Sequence, residues 1–351
     1  MRVLQVDAGR EWRGGQNQVR LLTRELARER EIEQWLVTNR DGELARRAAV
    51  DGVTVRGVRW AISLDPRAAF DLFLLMNEFR PAVVHVHDSH ALALARWTRR
   101  WVDWKTDPPP LVATRRVDFH VRRGSGWFHV DAVIAVSEAV RRVLVADGMP
   151  QSGITVIPDG IDPDEVRGAA ARPLDIRGRL GLSASTPLAV NVAALVDHKD
   201  QRTLVRAAEH ARAARPDLHW IIAGEGERRR TLERDIAEQG IGDRVHLVGY
   251  VPEADALIRE ATVVVMSSKE EGMGSVILDA LALEKPVVAT AAGGIPEVLP
   301  AECLVPVGDA SALGDKVVGV ITRPPSVVHL PPKFTAKSMA QATLALYQSL
   351  V

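Results

Sequence analysis

Short apolar runs alternate with amphipathic helical stretches along almost the whole chain. In the first half, the runs V-L-Q-V-D, Q-W-L-V-T and A-V-V-H-V-H stand among helical patterns over Asn17 to Arg30 and Pro66 to Phe79. Further strands are predicted at Val53 to Val55, Leu111 to Thr114, Ala132 to Ala135 and Ile154 to Ile157. This order, with Gly- or Asp-bearing loops after the strands, predicts a parallel sheet covered by helices on both faces.

The second half repeats this organisation after a break. Residues 158–177, which contain P-D-G-I-D-P-D and a small-residue run, are predicted to form a linker. Five more strands are predicted at Leu188 to Val192, Trp220 to Ala223, Val245 to Val248, Val263 to Met266 and Pro286 to Ala289. A chain of 351 residues is long enough for two domains. We therefore predict an α/β protein with two doubly wound, Rossmann-like domains facing a central cleft, at 1–160 and 161–334, and a helix at 335–351 that could pack back on the first.

Composition limits which cellular compartment and which kinds of partner are expected. No stretch approaches the roughly 18 consecutive apolar residues of a membrane span. The start, M-R-V-L-Q-V-D-A-G, is typical of a first strand and not of a signal peptide. Cys303 is the single cysteine, so no internal disulfide can form. We therefore expect a cytoplasmic protein. Up to Ile157 there are 24 Lys plus Arg against 19 Asp plus Glu. This surplus is too small to indicate nucleic acid, and solvated helix faces explain it more simply than an acidic acceptor or an anionic membrane.

Three tryptophans share one face of a predicted helix over Ala91 to Lys105. They are Trp97, Trp101 and Trp104, and arginines lie beside them. Such a helix can dock on a membrane interface. Packing of the indoles against the sheet is the simpler interpretation, so peripheral contact with the inner face of a membrane is kept as an alternative.

The loop after the run V-V-V-M-S-S carries the strongest chemical signal. It reads K-E-E-G-M-G-S, and a helix is predicted to start near Val276. Glycines at a helix N-terminus let backbone N–H groups approach a phosphate, and the helix adds about half a positive charge. Glu271 and Asp279 can accept hydrogen bonds from hydroxyls on either side of a diphosphate. The pattern fits a nucleotide sugar, although acidic residues also favour an ordinary helix start.

The same loop lies in a longer segment with a family resemblance. Residues 267–298, S-S-K-E-E-G-M-G-S-V-I-L-D-A-L-A-L-E-K-P-V-V-A-T-A-A-G-G-I-P-E-V, resemble the donor-binding signature of the retaining glycosyltransferases of family 4. The segments D-A-V-I-A-V-S-E-A-V-R-R and V-I-P-D-G-I-D resemble the end of the family's first domain, and W-I-I-A-G-E-G and V-H-L-V-G-Y-V-P resemble parts of its second. The resemblance spans nearly the whole chain. It implies the GT-B fold, with an acceptor-side first domain and a nucleotide-sugar donor domain.

The resemblance assigns roles to individual residues. Glu271 would hold hydroxyls of the transferred sugar, and Lys199 would meet the donor diphosphate and neutralise charge on the leaving group. Asp279 would hold the ribose. The donor-binding residues that the resemblance implies are Gly14, Gly15, Gly224, Gly272, Met273, Gly274, Ser275, Val276 and Asp279. No cofactor is implied, since a UDP-, GDP- or ADP-sugar serves as substrate.

Two departures concern the donor. The family has a second glutamate at the position of Asp279, so the charge is expected to stay while the reach shortens by one methylene. The family often has an arginine five residues before its lysine, where this chain has Ala194. One cationic contact to the diphosphate is therefore missing.

A third departure concerns the acceptor. Many members have a histidine after the strand Leu111 to Ala113, where this chain reads T-R-R-V-D-F-H. Arg115 or Arg116 could grip a phosphate or carboxylate on the acceptor, or fix the loop through Asp118.

A pair of histidines on the preceding strand adds a further acceptor-side candidate. His87 and Asp88 end that strand and could reach the cleft, so His87 is counted as acceptor-side. His85 and His87 lack a third ligand at a familiar spacing, so no metal site is expected.

These features predict a metal-independent transfer, with retention, to a hydroxyl of a glycan or lipid-linked acceptor in polysaccharide or lipopolysaccharide biosynthesis. In the front-side displacement discussed for similar enzymes, the leaving phosphate helps to deprotonate the acceptor, so no protein nucleophile is required. Two alternatives are a sugar-nucleotide epimerase and a non-catalytic nucleotide-sugar-binding protein. A dinucleotide oxidoreductase is disfavoured because G-R-E-W-R-G-G lacks the G-x-G-x-x-G spacing.

Overall fold

The computed structural model describes residues 1–62, 65–104 and 107–351. These residues form two compact units. Unit 1 comprises residues 1–161 and 332–351, and unit 2 comprises residues 162–331. Each unit is built around one parallel sheet.

Unit 1 contains a sheet of seven strands in the order β3-β2-β1-β4-β5-β6-β7. The strands are β1 (Arg2–Asp7), β2 (Glu33–Asn39), β3 (Val55–Val58), β4 (Val83–Val86), β5 (Leu111–Arg115), β6 (Ala132–Ala135) and β7 (Ile154–Val156). The helices that connect them are α1 (Gly14–Leu26), α2 (Glu43–Val50), α3 (Pro66–Phe79), α4 (Ser89–Arg99) and α5 (Glu138–Ala146). All strands pair in parallel, and the central β4 is buried along its whole length, as a sheet covered on both faces requires.

Unit 2 contains a sheet of six strands in the order β10-β9-β8-β11-β12-β13. The strands are β8 (Leu188–Val192), β9 (His219–Ala223), β10 (Val245–Gly249), β11 (Val263–Met266), β12 (Val287–Thr290) and β13 (Leu304–Val305). The helices are α6 (Pro163–Ala169), α7 (Ile176–Arg179), α8 (Gln201–Ala211), α9 (Arg229–Glu238), α10 (Ala254–Glu260), α11 (Ser275–Ala282) and α12 (Ala310–Thr322). The last helix of the chain, α13 (Ala336–Leu350), belongs to unit 1.

The predicted fold class, two Rossmann-like parallel sheets with helices, is confirmed. The strand order reverses at the same place in both units, between β1 and β4 and between β8 and β11. Loops that follow these strands diverge to opposite faces of an open sheet and leave a crevice where ligands bind. Ligand-binding residues are therefore expected at the carboxyl ends of β1, β4, β8 and β11.

Several local predictions were wrong. Part of the predicted linker is helical, because the Asp162 side chain accepts hydrogen bonds from the N–H groups of Asp164 and Glu165 and so caps α6. The third strand lies two to three residues further along than predicted. The helix predicted over Ala91 to Lys105 ends at Arg99, and its predicted end lies outside the described residues. The two-residue strand β13 was not predicted.

Helix α13 is joined to unit 1 through its core and its backbone. Tyr347 is fully buried, and its hydroxyl contacts Gln5 on β1 and His85 on β4. The N–H of Ile161 donates to the carbonyl of Phe334, just before the helix. Gly160 lies against this crossing, since a Cβ there would be 2.3 Å from the Thr335 carbonyl oxygen.

Replacing Gly160 with Ala is therefore expected to destabilise unit 1. The clash is with backbone atoms, which cannot rotate away, so we expect a loss of about 1–3 kcal/mol in unfolding free energy. Gly168→Ala is the matched control, because nothing lies within 4 Å of a Cβ there and the residue is helical. Thermal unfolding of both variants measures the difference. Equal melting temperatures would contradict the proposed packing.

Candidate functional sites

Hydrogen bonds join the loop after β11 to the loop after β8 in unit 2. The N–H of Lys269 donates to the His198 carbonyl at 2.8 Å, and the Ser267 hydroxyl donates to the Lys199 carbonyl at 3.0 Å. On the other side, the Thr290 hydroxyl donates to the Ser268 carbonyl at 2.6 Å. Both serines are almost fully buried. The two loops therefore form one rigid surface at the carboxyl edge of the sheet.

Lys199 and Glu271 form an ion pair on this surface. The Lys199 ammonium contacts the Glu271 Oε2 atom, and the Ser268 hydroxyl donates to the same oxygen at 3.2 Å. The two side chains are 19% and 11% exposed. The structure thus brings together the two residues predicted to be catalytic. A cation and a carboxylate that are side by side and open to solvent can bind a phosphate and a hydroxyl, respectively.

Glycines shape the backbone around the pair. Gly274 precedes α11 with a φ of 83°, and no side chain caps this helix. Gly224, after β9, has a φ of 145°, and a Cβ there would lie 1.9 Å from the Ala193 carbonyl oxygen. Both positions need glycine. The other predicted donor residues of unit 2 are Gly272, Met273, Ser275 and Val276, which are buried or half-buried in the same loop and first helical turn.

Asp279 lies one turn into α11, among other acids. Burial raises its pKa well above the usual range, and the nearby Asp255 and Glu165 raise it further. Burial, with a contribution from Glu165, also raises the pKa of Asp255 to about 6. This upward shift of its pKa works against the expectation that Asp279 keeps a negative charge. A protonated carboxyl can still donate one hydrogen bond to a hydroxyl and accept others.

Arg228 was not singled out from the sequence, and the structure places it beside the Lys199 turn. Its Nη2 atom donates to the Asp197 carboxylate at 2.6 Å, and Asp197 begins the short 3-10 turn that ends at Lys199. The carbonyl of Ala194, where the family often has an arginine, accepts from Gln201 at 3.0 Å. Arg228 stands in the run E-R-R-R, which offers no local signal of this placement. It is thus a second cation that contacts the turn carrying Lys199.

In unit 1, neighbouring arginines at the end of β5 have different environments. Arg115 donates to the Phe119 carbonyl at 2.8 Å and lies 5.1 Å from the centre of the Trp127 ring. Burial lowers its pKa. Arg116 donates through Nε to the Asp159 carboxylate at 3.1 Å. Arg115 is thus held by its own loop and by Trp127, whereas Arg116 faces the other candidates of unit 1.

Arg116 lies among the acceptor-side and glycine candidates of unit 1. A Cβ on Gly15 would be 4.0 Å from the Arg116 side chain, and Gly14 begins α1 beside it. At the end of β1, Asp7 accepts from the N–H of Gly9 at 2.9 Å. Burial raises the pKa of Asp7 to about 6, with a contribution from Asp88.

Sequence reasoning missed Asp7 and Asp159. An aspartate at a strand end carries no distinctive pattern, and its neighbours across the sheet are distant in sequence.

The exposed tryptophans, metal-ligand clusters and apolar helices are further features of the described residues. Trp97 and Trp101 are 38% and 46% exposed and meet edge to face at 4.3 Å, so neither indole is fully packed against the sheet. Within the described ranges, no group of three or more His, Cys, Asp or Glu side chains is arranged to hold a metal ion. No helix among those same residues is long and apolar enough to cross a membrane. Cys303 is buried and unpaired with another cysteine.

Comparison with known proteins connects both units to one class of enzymes. Residues 12–165 match the model of glycosyltransferase family 4, and residues 186–323 match the model of glycosyl transferases group 1. In solved structures, the chain resembles Anabaena HepE in complex with UDP and glucose, with a TM-score of 0.82, 18% identity and 100% coverage of both chains. Sucrose-phosphate synthase from Thermosynechococcus elongatus has a TM-score of 0.74 and 20% identity, with 100% of this chain and 99% of that chain covered.

Curated relatives agree with these matches. A 2-deoxystreptamine glucosyltransferase from Streptomyces kanamyceticus is 29% identical over 72% of this chain and 62% of its own length. A GDP-mannose-dependent phosphatidylinositol monomannoside mannosyltransferase from Mycolicibacterium smegmatis is 30% identical over 56% of this chain and 51% of its own length. The chain thus spans between half and two thirds of these relatives. It belongs to the family 4 glycosyltransferases and has their GT-B fold.

The charge state of Asp279 makes a testable prediction about stability. Its pKa is higher in the folded than in the unfolded state, so unfolding free energy should fall as pH rises from about 4 towards the folded value. Asp279→Asn removes this dependence, so we expect a melting temperature about 2 °C or more above the parent at pH 8, and a smaller difference at pH 4. Thermal unfolding at both pH values tests this.

Asp164→Asn is the control for that measurement, because the Asp164 side chain is 95% exposed on α6, next to Glu165. It should follow the parent protein at both pH values. If the melting temperatures of the parent and of Asp279→Asn changed with pH by the same amount, Asp279 would be charged in the folded protein.

Proposed function

We propose that the protein transfers a sugar from a nucleoside-diphosphate donor to an acceptor hydroxyl. The observation that carries this proposal is the Lys199–Glu271 ion pair on the glycine-shaped loops after β8 and β11. Its support is the family to which the chain belongs and the shape of its fold.

In this proposal, the two members of the pair bind different parts of the donor. The Lys199 ammonium binds the diphosphate and stabilises the charge that develops there as the glycosidic bond breaks. The Glu271 carboxylate accepts hydrogen bonds from the hydroxyls of the transferred sugar. Ser268 and the paired loops hold the carboxylate in place, so little reorganisation is needed when the donor binds.

We further propose retention at the anomeric carbon, without a metal ion. The proposal of retention follows from the family resemblance, and the leaving phosphate itself takes the acceptor proton. Lys199 and Arg228 provide the positive charge for the diphosphate. Arg228 takes the place of the arginine that the family often has at the position of Ala194.

Without a metal ion in the reaction, transfer is expected to keep its rate after treatment with EDTA. A loss of activity that Mg²⁺ or Mn²⁺ restores would contradict metal independence.

The donor and acceptor are proposed only as classes. A UDP-, GDP- or ADP-sugar is the donor, since one neighbouring structure contains UDP and one relative is named as GDP-mannose-dependent. The acceptor is a glycan or lipid-linked hydroxyl, and unit 1 is the acceptor-side unit.

Screening UDP-, GDP- and ADP-sugars by thermal shift identifies the nucleotide base of the donor, because a bound donor stabilises the folded state. No stabilisation by any of them would contradict the proposal.

Contact with the inner face of a membrane is a separate proposal. Its support is the exposure of Trp97 and Trp101 beside the exposed Arg100. Sedimentation with anionic vesicles, compared between the parent protein and Trp97→Ala/Trp101→Ala, tests it. Equal sedimentation would contradict this contact.

Substitutions in the ion pair test the proposed function directly. Glu271→Gln keeps the size of the side chain but removes its charge, and Lys199→Ala removes the cation. Each is expected to lower the rate of transfer by about 100-fold or more, because Lys199 stabilises the developing charge and Glu271 positions the transferred sugar. Glu270→Gln and Lys269→Ala are the matched controls, since both side chains are exposed in the same loop. Transfer is measured with the donor identified by thermal shift.

The same assay separates the alternative functions. Release of an altered sugar from the donor without acceptor would indicate an epimerase. Donor binding without turnover on glycan and lipid-linked acceptors would indicate a binding protein. Full activity of both Glu271→Gln and Lys199→Ala would overturn the assignment of this pair.

A further inference from the structure

A chain of hydrogen bonds crosses the buried centre of unit 1. Its members come from β1, β4, β5 and α13, and all are buried. The contacts are His87 Nε2 to Gln5 Oε1 at 2.8 Å, Gln5 Nε2 to the Tyr347 hydroxyl at 3.1 Å, that hydroxyl to His85 Nδ1 at 2.5 Å, and His85 Nε2 to the Thr114 hydroxyl at 2.6 Å.

The orientation of the Gln5 amide gives this chain a direction. Burial lowers the pKa of both histidines well below the usual range, so each ring is neutral and carries one proton. The Gln5 carbonyl oxygen only accepts, so the proton of His87 is on Nε2. The Gln5 amide donates to Tyr347, whose own hydrogen then goes to His85 Nδ1. The remaining proton of His85 is on Nε2 and points to Thr114.

One acceptor remains at the end of the chain. His87 Nδ1 carries a lone pair, is buried and has no hydrogen-bond partner among the residues that the structure describes. Buried polar atoms without partners are rare, because the loss of water is not compensated. His87 directly follows β4, next to the strand-order reversal where an open sheet binds ligands. This nitrogen therefore suits a donor group supplied by a ligand.

The surroundings favour a neutral donor. The positive charge of Arg116 acts on His87 and disfavours a second cation there. A fully deprotonated carboxylate or phosphate group would have no hydrogen to donate to the lone pair. A hydroxyl has both the hydrogen and the neutrality that the position requires.

We propose that His87 Nδ1 accepts a hydrogen bond from a hydroxyl of the acceptor substrate, and that Tyr347 on α13 is a positioning residue that sets the ring's tautomer through Gln5. This inference rests on the proposed function, which makes a hydroxyl-bearing molecule the second substrate. It adds a named atom, a protonation state and a role for the C-terminal helix.

Two variants of His87 separate ligand binding from a structural role. The amide oxygen of His87→Asn can replace Nδ1 as acceptor, whereas the amide nitrogen of His87→Gln can replace the Nε2 donor to Gln5. The probe is octyl β-glucoside below its micelle concentration. We expect its Kd to rise about tenfold in His87→Gln, because one hydrogen bond to the probe is lost. In His87→Asn the Kd should stay within about threefold of the parent value, because that bond is kept.

The opposite order, or equal Kd values in all three proteins, would overturn the inference. Thermal unfolding of each variant shows whether the fold is kept.

Nitrogen-15 NMR of labelled histidine tests the tautomer without any substrate. We expect His87 to be protonated at Nε2 and not at Nδ1, with His87→Gln identifying its signals. Octyl β-glucoside should shift the Nδ1 signal. Tyr347→Phe, which keeps the packing but breaks the chain, should give a mixture of tautomers at His87.

A proton on Nδ1 in the parent, an unchanged tautomer in Tyr347→Phe, or no shift with octyl β-glucoside would each overturn the inference. A shift with UDP-glucose instead would overturn the assignment to the acceptor. None of these outcomes depends on Glu271 or Lys199, so failure of this inference is distinguishable from failure of the proposed function.

Discussion

Parallel pairing is the constraint on which the rest of the structure depends. Every strand of a parallel sheet ends at the same edge, so loops that are far apart in sequence become neighbours there. In unit 2 this brings the loop after β8 against the loop after β11, and hydrogen bonds from the Lys269 N–H and the Ser267 hydroxyl to backbone carbonyls hold Lys199 beside Glu271. In unit 1 the same constraint places the ends of β1 and β4 side by side.

The acids of the two units differ in their surroundings. Glu271 is partly open to solvent and has a cation and a hydroxyl as partners, whereas Asp279 lies near other carboxyl groups that help to raise its pKa. Asp7 is nearly fully buried near Asp88, and its pKa is raised to about 6. Residues of one chemical type thus have different surroundings. A charged carboxylate binds hydroxyls only by accepting, and a protonated one can also donate.

Prediction from sequence succeeded where the signal was local and periodic. The strands and most helices follow from runs of Val and Ile that alternate with amphipathic stretches, and the family follows from a long ordered motif. It failed where a local pattern is compatible with two structures. The run D-P-D after Ile161 was predicted to lie in a linker, but it starts helix α6. The roles assigned to Glu271, Lys199 and the other candidate residues stay predictions, although the structure places several of them together.

The sequence by itself determined the fold class, the family and the identity of the paired residues, because these depend on periodicity and on an ordered motif. Only the tertiary structure decided which of Arg115 and Arg116 faces the other candidates, that Arg228 lies beside the Lys199 turn, and that the pKa of Asp279 is raised. It also decided that Tyr347, near the end of the chain in sequence, is connected to His87 through Gln5. The physical reason is that hydrogen bonding, burial and electrostatic shifts depend on neighbours in space, which a sequence does not list.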